Sequence, residues 1–290
     1  MVRMRDGVRL ATDVYLPAAP GPFSTVLVRL PYDKNSRYVF MDVVAARVTA
    51  AGYAVVVQDV RGKCRSEGEA LGSAAEAHDG YDTLSWIAAS GWSDGAVGMF
   101  GDSYCGFTQY AAASTGHPAL RAIVPRVTTT NLGANESVRG DGVADIPWGT
   151  SAAYLLQFWT GPYVNEREPD WTRDPLTDAF EAEFAALGAR SRWYDITIPH
   201  PVPGRMYPEG APEAARPVPT LHCVGWWDNL AIAHLRDIAM FASTPGWAPL
   251  QYLWLDSTDH ENCHIDEAET VGASTGHDSD DVTLGKMTDT

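Results

Sequence analysis

A chain of 290 residues, 45% of them hydrophobic, has enough apolar material for one large domain or for one domain with a substantial insertion, and needs no disulfide or metal to hold it. Its 37 acidic and 21 basic residues give a formal charge of −16, a surface that repels phosphate backbones and so excludes nucleic acid as an expected partner. Cys64, Cys105, Cys223 and Cys263 are too scattered for a C-x-x-C zinc or redox pair, the first residues have no apolar signal region, and no run reaches the ~18 apolar residues of a membrane span; the expectation is a cytoplasmic protein with reduced thiols and no membrane partner.

The chain opens as a hairpin, with strand-like residues at 2–5 and 8–16 around the turn signal Asp6-Gly7. A strand is predicted at 24–30, a helix at 41–51 stopped by Gly52, and a buried β-branched strand at 53–58. A polar, Gly-containing loop follows at 59–69. Helical spacing at 76–89, a short apolar strand at 96–100, a small-residue helix at 104–114 and a strand at 121–125 continue the alternation. Such alternation predicts a mostly parallel sheet with helices on both faces and right-handed crossovers. It stops near Thr128 and resumes with a strand at 218–224, a helix at 229–241 and a strand at 250–255. Residues 1–128 and 217–262 therefore read as one α/β domain and 129–216 as an insertion with helix-like pieces at 151–159 and 175–187. The segment 263–290 continues an acidic stretch with little periodicity and is expected to be loop or partly disordered.

A literal G-x-S-x-G pattern occurs twice, at Gly91-Trp92-Ser93-Asp94-Gly95 and Gly272-Ala273-Ser274-Thr275-Gly276. A nucleophile elbow is a sharp turn from a buried strand into a helix. The first match follows a helix and precedes a strand, and the second has no strand before it, so both read as turns. Residues 96–106 have the right context: an apolar strand runs into Gly101-Asp102-Ser103-Tyr104-Cys105-Gly106, and a helix rich in small residues follows. Ser103 is the candidate nucleophile, in a G-x-S-x-x-G variant of the motif.

A serine needs a base, and the base needs an orienting carboxylate. In this fold class the order along the chain is Ser, acid, His. The two last strands lead into Gly225-Trp226-Trp227-Asp228 and Asp256-Ser257-Thr258-Asp259-His260, which would place acid and base at the strand edge where open α/β sheets bind ligands. Other readings stand beside these. Asp228 also suits the cap of the following helix, His264 rivals His260, and His222, inside a strand, reads as a core residue.

The motifs resemble a family. Met4-Arg5-Asp6-Gly7-Val8-Arg9-Leu10, Arg29-Leu30-Pro31-Tyr32-Asp33-Lys34, Gln58-Asp59-Val60-Arg61-Gly62 with Ser66-Glu67-Gly68, Trp92-Ser93-Asp94-Gly95-Ala96-Val97-Gly98 and the Ser103 elbow occur in the order seen in the cocaine esterase / X-prolyl dipeptidyl peptidase superfamily. These serine hydrolases include α-amino acid ester hydrolases and glutaryl acylases. The resemblance is dense over 2–128 and thinner over 218–262. It implies an α/β-hydrolase fold, Ser103, Asp228 and His260 as triad, and the Tyr104 backbone N–H with the Tyr32 hydroxyl as oxyanion hole. Asp59 and Arg61 then brace the nearby loop. It also implies a helical cap over 129–216, whose Trp148, Trp159, Trp171 and Trp193 divide between cap core and substrate pocket, together with Trp226 and Trp227. Relatives usually carry a C-terminal jelly roll, for which no counterpart is expected within 290 residues, and the base loop departs from the usual Ser-His or Gly-His pattern.

The expected partner is a small ester or amide substrate, with homo-oligomerisation open and no cofactor or metal required. A dipeptidyl peptidase would need a carboxylate for the substrate's α-ammonium, for which Glu136, Asp141 and Asp145 are candidates. Carboxylesterase or acylase is the first expectation, X-prolyl dipeptidyl peptidase the second, and an inactive binding protein with a relic site the third.

Overall fold

Short β-branched runs supply the strands of one sheet, and the segments between them supply the helices that cover it. The computed structural model describes residues 1–36, 39–70, 75–132, 170–175, 177–188 and 207–260. In chain order the elements are β1 (Val2–Arg3), β2 (Arg9–Leu10), β3 (Thr12–Tyr15), β4 (Phe23–Leu30), α1 (Met41–Ala50), β5 (Ala54–Asp59), α2 (Glu76–Ala88), β6 (Ser93–Asp102), α3 (Ser103–Ser114), β7 (Leu120–Arg126), α4 (Thr177–Leu187), β8 (Thr220–Gly225), α5 (Ala231–Ser243) and β9 (Gln251–Asp256). Seven strands hydrogen-bond in the order β3-β5-β4-β6-β7-β8-β9. All neighbours are parallel except β3, which runs antiparallel to β5. This is the mostly parallel sheet that the alternating pattern predicts, in the α/β-hydrolase-like form that the family resemblance implies.

Side chains alternate across the strands, so each strand feeds two cores. Leu27, Val56, Val97 and Met99 pack with Leu84 and Ile87 of α2, Tyr110 and Ala113 of α3, and Phe241 of α5 on one face. Val28, Leu30, Val55 and Val57 pack with Met41, Val44 and Ala45 of α1 on the other. Strand β5 is buried at every position, as a central strand covered on both faces must be.

The opening hairpin differs from the sequence reading. Residues 8–16 are not one strand: β2 pairs with β1 in a separate two-stranded sheet, and β3 crosses to β5. Leu10 is buried with Val2 and Met4, whereas two residues on Thr12 accepts a hydrogen bond from Gln58 Nε2 at 3.0 Å. The two partners pull adjacent residues into different sheets. The turn also takes in more than Asp6-Gly7, because the Val8 carbonyl bonds back to the Met4 N–H.

Within the expected insertion the described residues form α4 and the stretch leading to β8; the rest of that expectation, and the acidic 263–290 segment, lie outside the described residues. No described helix is long and apolar enough to cross a membrane.

Candidate active site

Parallel pairing puts the C-terminal ends of β6, β8 and β9 at one edge of the sheet, and each end delivers one functional side chain. At β6 the chain turns directly into α3, with Ser103 as the first helical residue. Ser103 has φ 53°, a left-handed conformation that costs a non-glycine residue energy and persists only where packing enforces it. The glycines of the motif explain how the turn fits. Gly101 has φ +143°, and a Cβ there would stand 2.6 Å from Cys105 Cβ. A Cβ on Gly106 would meet Thr128 Cγ2 at 2.5 Å, and the Thr128 hydroxyl donates to the Ser103 carbonyl at 2.6 Å. The last glycine of G-x-S-x-x-G thus lets the segment just after β7 lie against the elbow.

The acid comes from the turn after β8. Asp228 is buried, with 1% of its side chain exposed. Its Oδ1 accepts the Leu230 N–H at 2.5 Å, and its Oδ2 lies 3.0 Å from His260 Nδ1. Asp228 does not cap α5, whose N-cap is Leu230 without a side-chain bond; one carboxylate oxygen closes the turn that leads into the helix and the other meets the imidazole. His260 follows β9, and its Nε2 lies 2.9 Å from Ser103 Oγ. A carboxylate can only accept, so Nδ1 carries the proton toward Asp228 and Nε2 is left to accept from the serine hydroxyl. The loops that hold acid and base are joined through their backbones, Trp226 N–H to the Asp256 carbonyl at 2.8 Å and Trp227 N–H to the Thr258 carbonyl at 2.9 Å.

Next to the serine, Tyr104 lies in the first turn of α3, where helix geometry offers its N–H no i−4 carbonyl. Its ring is anchored by a hydrogen bond: Tyr104 Oη donates to Glu76 Oε1 at 2.9 Å. Glu76 in turn pairs with Arg29 at 2.6 Å, and both are buried. Burial raises the Glu76 carboxyl, opposed by the Arg29 guanidinium, and raises the Tyr104 phenol well above its ordinary value. Tyr32 packs beside Tyr104 and Val60. Asp102 and Arg126 form an ion pair of 2.9 Å on the flank of the elbow.

A profile of the X-Pro dipeptidyl-peptidase (S15 family) matches residues 6–262. The chain belongs to that family. Over 134 residues, 46% of this chain and 23% of the relative, the S15 chain is 48% identical to the cocaine esterase of Rhodococcus sp. (strain MB1 Bresler). Among solved structures it is similar to an α-amino acid ester hydrolase, at 25% identity and a TM-score of 0.63 over 90% of this chain and 47% of that one. It also shares the fold of an aminopeptidase from a marine sediment Thaumarchaeota archaeon, at 24% identity and a TM-score of 0.65 over 90% and 48%. These matches take in about a quarter of the curated relatives' length and about half of the solved chains'.

The structure of this S15 chain brings Ser103, Asp228 and His260 into one hydrogen-bonded series, with Tyr104 adjoining the serine. Trp226 and Trp227 flank the acid, 55% and 66% exposed. Trp171 stands edge-on to Phe180 of α4, a contact within the inserted region. His222 is fully buried, as its place in a strand predicts. Arg61 bonds both oxygens of Asp79 and reaches Asp6, and Asp59 accepts the Lys34 N–H, the bracing expected of that loop. Trp148, Trp159, Trp193, Glu136, Asp141, Asp145 and His264 lie outside the described residues. Sequence reasoning missed Glu76, Thr128 and the Asp102–Arg126 pair. Glu76 reads in sequence only as an acidic residue at a helix start, and nothing local ties it to a tyrosine 28 positions away.

Proposed function

We propose that this chain is a serine hydrolase that cleaves a carboxylic ester or amide through an acyl-enzyme, with Ser103 as nucleophile, His260 as base and Asp228 as orienting acid. The observation that carries the reading is the series Ser103 Oγ to His260 Nε2 at 2.9 Å and His260 Nδ1 to Asp228 Oδ2 at 3.0 Å. His260 takes the hydroxyl proton as Ser103 Oγ bonds to the substrate's carbonyl carbon, and the imidazolium formed is stabilised by Asp228. The tetrahedral oxyanion is held by the Tyr104 N–H and the Tyr32 hydroxyl, each such donor contributing about 10²–10³ in rate. The leaving group departs with the proton from His260, and water repeats the sequence to release the acid.

Family membership and 48% identity with an esterase support ester cleavage, by a carboxylesterase or acylase. Exposed Trp226 and Trp227 beside Asp228 offer an apolar platform for the acyl or leaving group. A second reading, X-prolyl dipeptidyl peptidase, is favoured by the name of the family itself.

The deciding experiment treats the protein with a fluorophosphonate and maps the adduct by mass spectrometry, alongside hydrolysis of p-nitrophenyl butyrate and Ala-Pro-p-nitroanilide. Labelling on Ser103 with ester turnover supports the first reading. Preference for the Ala-Pro substrate supports the second. A folded protein that neither labels nor turns over either substrate overturns both in favour of a relic site.

A further inference from the structure

Behind the loop that carries Tyr32, three ligating side chains converge that the acyl-transfer chemistry does not use. Asp33 lies in the loop after β4, Asp59 ends β5, and Cys64 lies in the loop beyond it. One carboxylate oxygen from each aspartate and the Cys64 Sγ all lie within 4.8 Å of one another. Asp59 has no exposed surface. Its Oδ1 accepts the Lys34 N–H at 2.8 Å, and its Oδ2 is buried with no hydrogen-bond partner among the described residues. The Arg65 N–H also acts on the Asp59 carboxylate and favours its charged form. The Lys34 ammonium, which acts on Asp59, is engaged by Asp13 at 2.6 Å and by Asn35, and the buried Lys63 ammonium acts on the Cys64 thiol. Arg65 reaches one oxygen of Asp33 at 2.9 Å. A buried carboxylate oxygen left without a partner is costly, and the cost falls when a cation takes that position.

We propose that Asp33, Asp59 and Cys64 form a binding site for a divalent cation of the zinc class, which ties the Tyr32 loop to the loop after β5. The mixed donor set selects the ion. Magnesium and calcium take oxygen ligands throughout, copper(I) and iron–sulfur clusters take sulfur, and two carboxylates with one thiolate suit a borderline ion. Zinc bonds of about 2.0–2.2 Å to oxygen and 2.3 Å to sulfur set ligand separations near 3.3–3.8 Å in a tetrahedron. Binding therefore draws the donors together from a spread of up to 4.8 Å and leaves a fourth position for water. Binding releases the Cys64 thiol proton to solvent, since thiolate is the ligand form.

Cobalt(II) added to the reduced, EDTA-stripped full chain tests this directly. The expected result is one equivalent bound, with a near-ultraviolet thiolate-to-cobalt charge-transfer band that added zinc(II) abolishes. Cys64→Ser, which preserves side-chain size, loses the band while circular dichroism stays native, and Cys263→Ser keeps it. Asp59→Asn weakens cobalt binding by at least the ~10–100-fold that loss of an outer-shell partner costs. A folded wild type that develops no band overturns the proposal, as does a band that survives in Cys64→Ser. Should Asp59→Asn fail to fold, the cysteine pair of variants still decides.

Discussion

The two sides of the triad are held by different means. Ser103 sits where an inner strand meets a helix, with β4 and β7 on either side of β6. Close approaches at Gly101 and Gly106, the Thr128 hydroxyl on its carbonyl, and the Arg29–Glu76–Tyr104 chain fix its surroundings. His260 instead follows β9, the last strand of the sheet, which has β8 as its one paired neighbour among the described residues and leaves Tyr252, Leu253 and Leu255 exposed. The base is held by backbone hydrogen bonds from Trp226 and Trp227 to Asp256 and Thr258, by the close approach of buried Thr258 to Gly225, where a Cβ would stand 2.7 Å from its carbonyl oxygen, and by its contact with Asp228.

The largest expected effect tests whether the loosely framed side is catalytically equal to the tightly framed one. Ser103→Ala and His260→Ala should each lower kcat for p-nitrophenyl butyrate by about 10⁵–10⁶, and Asp228→Asn by about 10⁴. Members of a triad act as a unit, so Ser103→Ala combined with His260→Ala should fall little further than either alone. If His260→Ala keeps wild-type turnover while Ser103→Ala does not, the base has been placed on the wrong residue and His264 becomes the candidate.

The next effect sharpens the packing half of the comparison. Gly106→Val forces a side chain into the space occupied by Thr128 Cγ2, which a Cβ alone would already approach to 2.5 Å. Overpacking of this kind costs about 1–3 kcal/mol or more, read as a lower urea midpoint. Pairing it with Thr128→Ala opens the space and should recover part of the loss. No recovery would mean that the backbone itself, not this contact, sets the cost.

The same contrast explains what the sequence made legible. The elbow was readable because β6, Gly101, Ser103, Gly106 and the small residues of α3 leave marks in composition. β5 announces itself as Val55-Val56-Val57, since a strand covered on both faces has no position for a polar side chain beyond those with buried partners such as Gln58. The acid and base were placed by strand order and by resemblance, because what fixes their loops, the approach of Thr258 to Gly225 and the Trp227 N–H on the Thr258 carbonyl, joins residues more than thirty apart in the chain. Asp228 carried an ambiguity in sequence, helix cap or partner of the histidine; the structure puts Leu230 at the N-cap and leaves Asp228 to the turn before it and to His260. Glu76 and Thr128 were illegible because their partners, Tyr104 and Ser103, are distant in the chain and close only once α2, α3 and β7 have packed. The split of residues 8–16 between two sheets was hidden for the same reason.

A smaller effect concerns how the base-side strand is pinned to the core. His222 of β8 lies 2.8 Å from Gln251 Oε1 of β9 through Nε2, and its Nδ1 lies 3.1 Å from both Tyr110 Oη and His234 Nε2. Asp237, on the same helix as His234, is occupied by Thr129 and Thr130. Burial pushes His222 down to about 4 and His234 well below the ordinary histidine value. Both are then neutral in the fold while the unfolded chain takes up protons below its pKa of about 6.5. Stability therefore falls as pH drops from about 6.5 toward 4, by roughly 2 kcal/mol at pH 5 from His222 alone. Asp59, pushed up by burial to about 6, acts in the opposite sense over the same window, so the readout is a difference. Urea midpoints at pH 7 and pH 5 should separate less in His222→Phe than in the wild type, and equal separations would remove the histidine pair from the account.

The smallest effect puts an inner strand, β4, and the outlying strand β9 on one scale. Leu27, in β4, has no exposed surface and lies in the core shared with α2 and α3, whereas Leu253, in β9, is 49% exposed. Leu27→Ala should cost about 2–5 kcal/mol, the range for emptying a packed site. Leu253→Ala should stay within about 0.5 kcal/mol, as surface changes away from special features do. Because His260 lies seven residues beyond Leu253, the same variant also asks whether the edge strand's apolar face helps to place the base. Unchanged stability with unchanged kcat means the loop bonds and Asp228 suffice to hold the imidazole. Unchanged stability with a several-fold loss of kcat means that the outer face of β9 steers His260, and the base side is then framed by packing after all.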